Sequence, residues 1–525
     1  MSENNIALEL RNVTKRFGTI VANNNVSMNV MQGEILAILG ENGSGKTSLM
    51  NVIAGIYYPE EGEIFVKGES VQIHSPKEAY QYHIGMIHQH YKLVDVFTAT
   101  ENVVLGLSAS EYQEIMGSAS KKLNLQEAAN KIKEIADSFG FQFEPNKKVY
   151  SMSVSEKQTL EILKVLFRGA ELLILDEPTA VLTPQETRQL FKVLKNMRKA
   201  GKSIIIITHK LNEVMEISDR VTVLRKGQYI DTVLTKDTNE NALTEMMVGK
   251  KIDLNIDRTT PKNPKPRLLV NGLTINDGEK KILDNITLEA KSGEILGIAG
   301  IAGSGQRELL EAIAGLQKYN AGEISYVDFN SSTPVNLKEL SPANIRELGI
   351  RLSFVPEDRL GMGLVGTFDL VDNVMLRSYT KNTNHHYITT DRKTPSDLTN
   401  KIVSELEVVT PNVHTEIRKL SGGNVQKVLV GREIASSPTV LMAAYPVRGL
   451  DINSSYLIYN LLNAQKENGA AVVFVGEDLD VLIALCDRIA VLCGGRLTGV
   501  VDARHVTKDQ IGTLMTQSES LKEEN

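Results

Sequence analysis

The chain has 525 residues, and its 58 Lys and Arg nearly balance its 64 Asp and Glu to leave a net charge of −6. This length exceeds what a single hydrophobic core organises, so we expect at least two domains; the balanced charge argues against a nucleic-acid partner, which would require a basic surface. The longest apolar runs fall well short of the roughly 18 residues of a membrane-spanning helix, so any role at a membrane requires partner subunits.

The location of the protein is predicted from its N-terminus and its cysteines. The opening segment, MSENNIALEL, lacks a basic region followed by an apolar stretch, so we expect no secretory signal. Two cysteines, Cys486 and Cys493, stand in apolar surroundings near the C-terminus. Ordinary buried thiols in a reducing cytosol are therefore predicted, without structural disulfides.

A glycine-rich loop is the first motif that points to chemistry. The sequence GENGSGKT follows the apolar run Ile35 to Leu39 and precedes a helix-length segment. In this context of strand, loop and helix, backbone N–H groups cradle phosphates. We expect the lysine of the motif to neutralise the β and γ phosphates and its threonine hydroxyl to hold Mg²⁺. The predicted ATP-binding residues here are Gly40, Glu41, Asn42, Gly43, Ser44, Gly45, Lys46 and Thr47.

An amphipathic helix is predicted between this loop and the next apolar strand. Apolar residues recur there at helical spacing, at Leu125, Ala128, Ile132, Ile135 and Phe139. The stripe indicates a helical subdomain, and helix packing alone explains it.

Two adjacent carboxylates end a buried strand further along the chain, in the run LLILDEP from Leu172 to Pro178. Neighbouring residues of a strand point to opposite sides, so Asp176 and Glu177 can take separate tasks. Hydrolysis of a γ-phosphate needs a metal clamp and a group that positions or deprotonates water. We expect Asp176 to bind Mg²⁺ and Glu177 to act on the attacking water.

The second half of the chain repeats the first. GEILAILGENGSGKTSL, which begins at Gly33, is answered by GEILGIAGIAGSGQREL, which begins at Gly293. In both copies, short β-branched runs alternate with helix-length segments, as in buried parallel strands joined by crossover helices. We therefore predict an α/β protein with two P-loop domains in tandem, each a mixed-sheet core with a helical subdomain.

Domain limits are predicted from composition. Prolines and charges replace apolar periodicity between Asn255 and Leu268, which is typical of an exposed linker. The predicted domains are residues 1–254 and 268–517, with a linker at 255–267 and a disordered tail at 518–525. The polar segment from Lys381 to Leu398 is predicted to be a mobile loop.

These motifs resemble those of the ABC ATPases, most closely the sugar and nucleoside importer ATPases with two fused domains. The resemblance covers both halves and includes LSGGN, from Leu420 to Asn424, which matches the family's signature motif. It implies that Gln89, in MIHQHY, senses membrane subunits and reaches Mg²⁺ or water. It also implies that His209, in IIIITHK, contacts the γ-phosphate and that Phe17, in TKRFG, stacks on adenine.

The second copy has lost the residues on which hydrolysis depends, so we expect that it cannot hydrolyse ATP by the same route. By contrast, the first copy has lost both glycines of the signature, where MSVSE, from Met152 to Glu156, stands in its place. In the second copy Gln306 replaces Lys46, Arg307 replaces Thr47, Ala444 replaces Asp176, Tyr445 replaces Glu177, Glu357 replaces Gln89 and Glu477 replaces His209.

In the ABC ATPases each site combines the phosphate loop of one domain with the signature of the other, whose helix N-terminus faces the γ-phosphate. The resemblance therefore implies that the intact residues of the first half meet Ser421, Gly422 and Gly423 of the signature. The resemblance also implies that Asp451, in GLD, crosses over to the same site and that Thr183 is its degraded counterpart. One catalytic site is expected, and whether the other site binds nucleotide stays open.

The implied function is that of the ATP-hydrolysing subunit of a bacterial ABC importer, with Mg²⁺ as cofactor. Its implied partners are two membrane-spanning permease subunits and an extracytoplasmic substrate-binding protein. Contact with the membrane is expected only through the permeases, at the cytoplasmic face of the cell membrane. The segment from Gly85 to Gly106 and the run AVLTPQE resemble the nucleoside-type branch, so nucleosides are the expected cargo.

Two other functions stay open. An importer of monosaccharides such as ribose or galactose would share the degenerate second half. A soluble tandem ABC ATPase acting on ribosomes would be expected to keep both sites intact and to carry a long charged helical linker, whereas the linker here is short. A regulatory module without turnover is disfavoured by the presence of Glu177 and His209.

Overall fold

The computed structural model describes residues 5–88, 91–117, 123–251, 254–278, 280–301, 303–329, 331, 333–354, 360, 363–377, 391–435 and 437–516. The chain divides into two compact units, Met1–Asp253 and Leu254–Asn525. Each unit has one six-stranded and one four-stranded sheet, and corresponding strands follow the same order in both units. The predicted fold class, two α/β domains in tandem, is thereby confirmed, while the predicted domain limits stay a prediction.

The first unit is built from short strands and helices that alternate along most of its length. Its strands are β1 (Ile6–Phe17), β2 (Ile20–Met31), β3 (Ile35–Leu39), β4 (Glu61–Val66), β5 (Glu69–Val71), β6 (Ile84–Ile87), β7 (Leu172–Asp176), β8 (Ser203–Ile207), β9 (Arg220–Arg225) and β10 (Gln228–Leu234). Its helices are α1 (Lys46–Ile53), α2 (Pro76–Gln81), α3 (Ala99–Val104), α4 (Ala109–Met116), α5 (Leu125–Phe139), α6 (Val154–Phe167), α7 (Pro184–Lys199), α8 (Leu211–Ile217) and α9 (Glu240–Val248).

The six-stranded sheet of the first unit forms its centre and positions the residues of the candidate site. Its order is β10-β9-β3-β8-β7-β6, with all neighbours parallel except β10 and β9. Every residue of β3, β7 and β8 is buried, as expected for parallel strands covered on both faces. Because β3, β7 and β8 are parallel neighbours, their carboxyl ends meet at one edge, where ligands bind in open α/β sheets. The antiparallel sheet has the order β2-β1-β4-β5.

Helix α5 is present where the apolar stripe predicted it, and of the stripe Ala128 and Ile132 are buried, Ile135 and Phe139 are half-buried, and only Leu125 is exposed. Asn124 caps its start, and Gly140 ends it in the left-handed region at φ 86°. The residues buried on this helix are Ala128, Ala129, Ile132 and Ala136, whereas Leu125 is 42 % exposed. Ile132 and three small alanines form this buried face, and the alanines allow close packing on α3 and α6.

The second unit repeats this plan. Its strands are β11 (Pro266–Asp277), β12 (Lys280–Lys291), β13 (Ile295–Gly300), β14 (Ala321–Tyr326), β15 (Val335–Asn336), β16 (Ile350–Phe354), β17 (Val440–Ala444), β18 (Ala471–Val475), β19 (Arg488–Cys493) and β20 (Arg496–Asp502). Its helices are α10 (Gln306–Ile313), α11 (Pro342–Glu347), α12 (Leu370–Met375), α13 (Lys393–Glu405), α14 (Gly422–Ile434), α15 (Ile452–Glu467), α16 (Leu479–Leu485) and α17 (Lys508–Thr516). The sheet orders are β16-β17-β18-β13-β19-β20 and β12-β11-β14-β15.

The predicted linker is anchored to the second unit. The Nζ of Lys466, a residue 1 % exposed, donates to the carbonyl of Thr259 at 2.6 Å and pairs with Asp487 at 2.9 Å. Arg258 donates to the carbonyls of Ile483 and Cys486, at the end of α16. A buried lysine needs such partners, so this part of the linker is fixed in place. Its composition alone did not indicate these contacts.

The predicted mobile loop from Lys381 to Leu398 is wrong for its last six residues. They open helix α13, while residues 381–390 lie outside the described residues, as does the predicted tail at 518–525. The carboxylate of Asp391 accepts hydrogen bonds from the backbone of Lys393, at 2.8 Å, and from the Thr394 hydroxyl, at 2.6 Å. These hydrogen bonds just before the helix start and the buried Ile402 stabilise a helix that the polar composition conceals.

Candidate nucleotide-binding and catalytic site

The phosphate loop of the first unit joins β3 to α1 and depends on its glycines. Gly45 precedes the helix at φ 93°, in the left-handed region, and a Cβ there would lie 2.3 Å from the carbonyl of Ala22. At Gly40, a Cβ would lie 2.3 Å from the carbonyl of Leu224. Any larger residue would displace the backbone, so these glycines keep the loop folded over the helix N-terminus, the arrangement that binds phosphate.

Lys46 is the buried cation of this loop. It is 6 % exposed, and its Nζ donates to the carbonyls of Gly40, at 2.6 Å, and Glu41, at 2.9 Å. Burial lowers the pKa of Lys46, while the nearby carboxylates of Glu177 and Asp176 partly oppose this effect. A desolvated ammonium group of this kind is strongly stabilised by an anionic ligand such as a phosphate.

The metal-binding residues predicted from the sequence lie together. The Thr47 hydroxyl donates to Oδ2 of Asp176 at 3.3 Å. Burial, followed by the charge of Glu177, raises the pKa of Asp176, so a cation beside this carboxylate would favour its ionised form. The Ser44 hydroxyl is also buried and has no hydrogen-bond partner among the described residues. Oxygen ligands, an unused buried hydroxyl and the glycine cradle fit Mg²⁺-ATP.

Glu177 lies next to His209 at the carboxyl edge of the sheet. Oε1 of Glu177 is 3.0 Å from Nδ1 of His209. This hydrogen bond, more than any other contact, lowers the pKa of Glu177, so its carboxylate is ionised at neutral pH. The Glu177 backbone stands at φ 47°, and its N–H donates to the carbonyl of Ile207 at 2.9 Å. The sequence did not indicate that these two side chains bond to each other.

Phe17 ends β1 with 41 % of its surface exposed. Its ring meets Tyr57 edge to face at 5.0 Å, and the ammonium of Lys15 lies 5.2 Å from the ring centre. An exposed aromatic face of this kind can stack on a nucleobase. Gln89, the remaining residue predicted for the first half, lies outside the described residues.

The second unit keeps the backbone of this site with different side chains. Gln306 donates to the carbonyl of Ile301 at 3.3 Å, and Arg307 pairs with Glu311 at 2.7 Å. Tyr445 occupies the left-handed position, at φ 52°, as Glu177 does in the first unit. The second unit thus has no carboxylate at the end of β17 and no lysine in its loop, so its lack of hydrolysis stays a prediction.

One further replacement was missed in the sequence. Strand register aligns the end of β11 with the end of β1, so Asp277 stands where the first unit has Phe17. A carboxylate offers no stacking surface and repels a nucleotide. Counting residues from the two phosphate loops back to their β hairpins would have found it.

The two signature segments differ at their helix N-termini. In α14, the first turn begins with the exposed Ser421 and Gly422, and the Ser421 side chain makes no capping hydrogen bond. In α6, Ser153 and Glu156 cap each other's backbone N–H groups, at 3.2 and 2.7 Å. In α6, these side chains already satisfy backbone N–H groups of the first turn. The first turn of α14, which includes Gly423, has no such side-chain cap, so its backbone N–H groups can bind an anion.

Asp451 caps helix α15. Its carboxylate accepts hydrogen bonds from the backbone N–H and the hydroxyl of Ser454, at 2.8 and 2.6 Å. Its counterpart in the first unit, Thr183, caps α7 together with Glu186. Both residues fix a helix start, and the role of Asp451 at a shared site stays a prediction.

A family model described as "ABC transporter" matches residues 23–180 and again residues 283–446, more than half of the chain. The chain belongs to the ABC transporter family. Both matches include the phosphate loop and the strand that carries Asp176 in the first unit or Ala444 in the second. The predicted family is therefore confirmed, and the duplication of its ATP-binding domain with it.

Relatives in this family match over almost their whole length. The guanosine import ATP-binding protein NupO of Bacillus subtilis is 42 % identical over 97 % of this chain and 97 % of its own. The nucleoside import ATP-binding protein NupA of Lactococcus lactis is 38 % identical over 98 % of each chain. The glucose import ATP-binding protein TsgD13 of Haloferax volcanii is 37 % identical over 97 % of this chain and 95 % of its own.

A solved structure also aligns with nearly the whole chain. It is the archaeal ribosome recycling factor aABCE1, in complex with the ribosomal stalk protein aP1, with a TM-score of 0.59 over 94 % of this chain and 90 % of that one. At 15 % identity this likeness shows the ABC fold and no shared function. Within the residues that the structure describes, this ABC protein has no helix long and apolar enough to cross a bilayer.

Proposed function

We propose that this ABC protein is the ATP-hydrolysing subunit of a nucleoside importer and that it contains one catalytic site. The observation that carries the ATPase activity is the grouping of a buried lysine, a hydroxyl–carboxylate pair and an ionised glutamate at one sheet edge. These residues are Lys46, Thr47, Asp176 and Glu177, with His209 bonded to the last.

Binding of ATP uses the loop and the exposed ring. Backbone N–H groups of the loop and the desolvated ammonium of Lys46 bind the β and γ phosphates, and Phe17 stacks on the base. Thr47 and Asp176, joined by Gln89, would hold Mg²⁺, which neutralises charge on the phosphate oxygens. Their oxygens need little rearrangement, because Thr47 and Asp176 already lie 3.3 Å apart.

Glu177 acts on the attacking water. Its ionised carboxylate, held in place by His209, can orient the water and accept its proton as the bond to the γ-phosphate forms. His209 donates to this carboxylate through Nδ1, and in its doubly protonated form it could also donate through Nε2 to a γ-phosphate oxygen. We propose that the backbone N–H groups of Ser421, Gly422 and Gly423 act on the γ-phosphate of the same ATP and that Asp451 contributes to this site.

Coupling to transport requires membrane subunits. We propose two permease subunits and an extracytoplasmic substrate-binding protein as partners, with this chain at the cytoplasmic face of the membrane. ATP can drive the permeases only if it binds the closed and open forms of the assembly with different affinity. The segment around Gln89 is the proposed point of contact with the permeases.

Nucleosides are the proposed cargo because two of the relatives above are import proteins for guanosine and for nucleosides, at 42 % and 38 % identity. The glucose import relative, at 37 %, makes a sugar the second candidate. A measurement of uptake in cells distinguishes these two candidates.

Deletion of the gene should abolish uptake of radiolabelled nucleosides and leave uptake of ribose, galactose and glucose unchanged. The matched control is complementation with the unchanged gene or with Glu177→Gln, and only the former should restore uptake. Loss of sugar uptake with normal nucleoside uptake would replace the proposed cargo by a monosaccharide. Unchanged uptake of both, together with co-purification with ribosomes, would favour the ribosome-acting alternative.

A further inference from the structure

In each unit a buried glutamine is hydrogen-bonded to the turn after one strand of the six-stranded sheet. That strand is β7 in the first unit and β17 in the second. On α6, Gln158 is 4 % exposed, and its Nε2 donates to the carbonyl of Pro178 at 2.5 Å. On α14, Gln426 is 0 % exposed, and its Nε2 donates to the carbonyl of Pro446 at 2.7 Å. A carbonyl only accepts hydrogen bonds, so the orientation of each amide is fixed by its partner.

The amide oxygen of each glutamine indicates that the hydrogen bond to the proline carbonyl stabilises the fold. Oε1 of Gln158 and Oε1 of Gln426 are both buried and have no hydrogen-bond partner among the described residues. A buried acceptor without a partner is costly, and an apolar side chain of the same shape would avoid that cost. The donor end must therefore offset the unsatisfied oxygen in both units.

The residue held by this bond has an unusual backbone. Glu177 directly precedes Pro178 and stands at φ 47°, a region that residues other than glycine rarely occupy. On its N-terminal side, the Glu177 N–H is bonded to the carbonyl of Ile207 at 2.9 Å. On its C-terminal side, Gln158 holds the next carbonyl. Hydrogen bonds on both sides of Glu177 therefore hold its left-handed backbone conformation.

We propose that Gln158 is a positioning residue for Glu177: by holding the Pro178 carbonyl it keeps the left-handed turn that directs the glutamate toward the attacking water. This inference rests on the proposed role of Glu177 in hydrolysis. In the second unit, the same bond holds the turn at Tyr445, where no carboxylate is present. The two units therefore provide the same bond with and without a catalytic group beside it.

Gln158→Met removes the donor and keeps the length of the side chain. We expect kcat for ATP hydrolysis to fall about 10- to 100-fold, because a small displacement of a catalytic group has effects of this size. The KM for ATP should stay unchanged, because Lys46 and the loop are not touched. Gln426→Met, which removes the same bond in the second unit, is the control for thermal stability only, because its helix α14 also carries Ser421, Gly422 and Gly423 of the proposed site. An unchanged kcat for Gln158→Met, with a loss of thermal stability like that of Gln426→Met, would overturn the proposal.

A double-mutant cycle with Glu177→Gln tests the route of the effect. Once the carboxylate is gone, Gln158→Met should not lower the residual single-turnover rate any further, because the two changes act on one group. Additive losses would overturn the proposal. Full activity of Gln158→Met beside an inactive Glu177→Gln overturns this inference alone, whereas normal turnover by Glu177→Gln overturns the proposed function. If Gln158→Met does not fold, Gln158→Asn, whose amide is too short to reach Pro178, gives the same comparison.

Discussion

Glu177→Gln should abolish ATP turnover, whereas replacement of Tyr445 should leave most of it. Glu177 is ionised and bonded to His209 at 3.0 Å, so it can accept a proton from water, which a glutamine amide cannot do. The loss of a general base lowers a rate by about 10²–10⁴-fold. Tyr445 has the same backbone position in the second unit but no carboxylate. Release of phosphate by the purified chain with its membrane subunits measures both variants.

The control for this pair must separate chemistry from folding. Tyr445→Ala removes a ring that packs against the core of the second unit, so some loss of stability is expected. Tyr445→Phe retains the ring and serves when the alanine variant is unstable. Both tyrosine variants and Glu177→Gln should bind ATP with unchanged affinity. Equal damage to turnover from Glu177→Gln and Tyr445→Phe would contradict a mechanism with one catalytic site.

Gly423→Asp should lower turnover about 10²–10³-fold, the size of effect expected when donors to a developing negative charge are lost. Gly423 lies in the first turn of α14, and the proposed site places that turn against the γ-phosphate, so a carboxylate there would repel the phosphate. Folding should tolerate the change: a Cβ at Gly423 meets only Leu450, at 3.7 Å, an ordinary contact. The phosphate-release assay measures the loss of turnover, and thermal unfolding checks that Gly423→Asp folds normally.

Ser155→Asp is the matched control, since Ser155 is the corresponding residue of the first-unit signature. An acidic residue in the first turn of α6 suits the helix dipole, and this turn is already capped by Ser153 and Glu156. Turnover should therefore change little. If Ser155→Asp abolished turnover and Gly423→Asp did not, the catalytic site would use the signature of the first unit, and the proposed pairing would be wrong.

Much of the candidate site could be predicted from the sequence, because its geometry is set locally. A glycine-rich loop between a buried strand and a helix leaves few conformations, so Gly40, Gly45 and Lys46 could be assigned a phosphate-binding role from their order alone. Asp176 and Glu177 were predicted in the same way, at the end of an apolar run. The grouping of Lys46, Thr47 and Asp176 then follows from parallel strands whose carboxyl ends share one edge.

Other features depend on contacts between distant parts of the chain, which no local pattern reports. The stripe predicted on α5 included Leu125, which is exposed in the structure, whereas small alanines pack closely on the buried face. The start of α13 was hidden by its polar residues, since hydrogen bonds to Asp391 and a few buried side chains determine it. The bond between Gln158 and Pro178 joins residues 20 positions apart on different elements, so only the folded unit brings them together.

The central claim, one catalytic site in a duplicated chain, is tested most directly by trapping. The chain, assembled with its membrane subunits, would be incubated with Mg²⁺, radiolabelled ATP and vanadate, which replaces the γ-phosphate after hydrolysis, and the ADP retained per chain would be counted. We expect one ADP per chain, abolished by Glu177→Gln and unchanged by Tyr445→Phe. Two retained ADP per chain would mean that the second unit also hydrolyses ATP and would contradict this account.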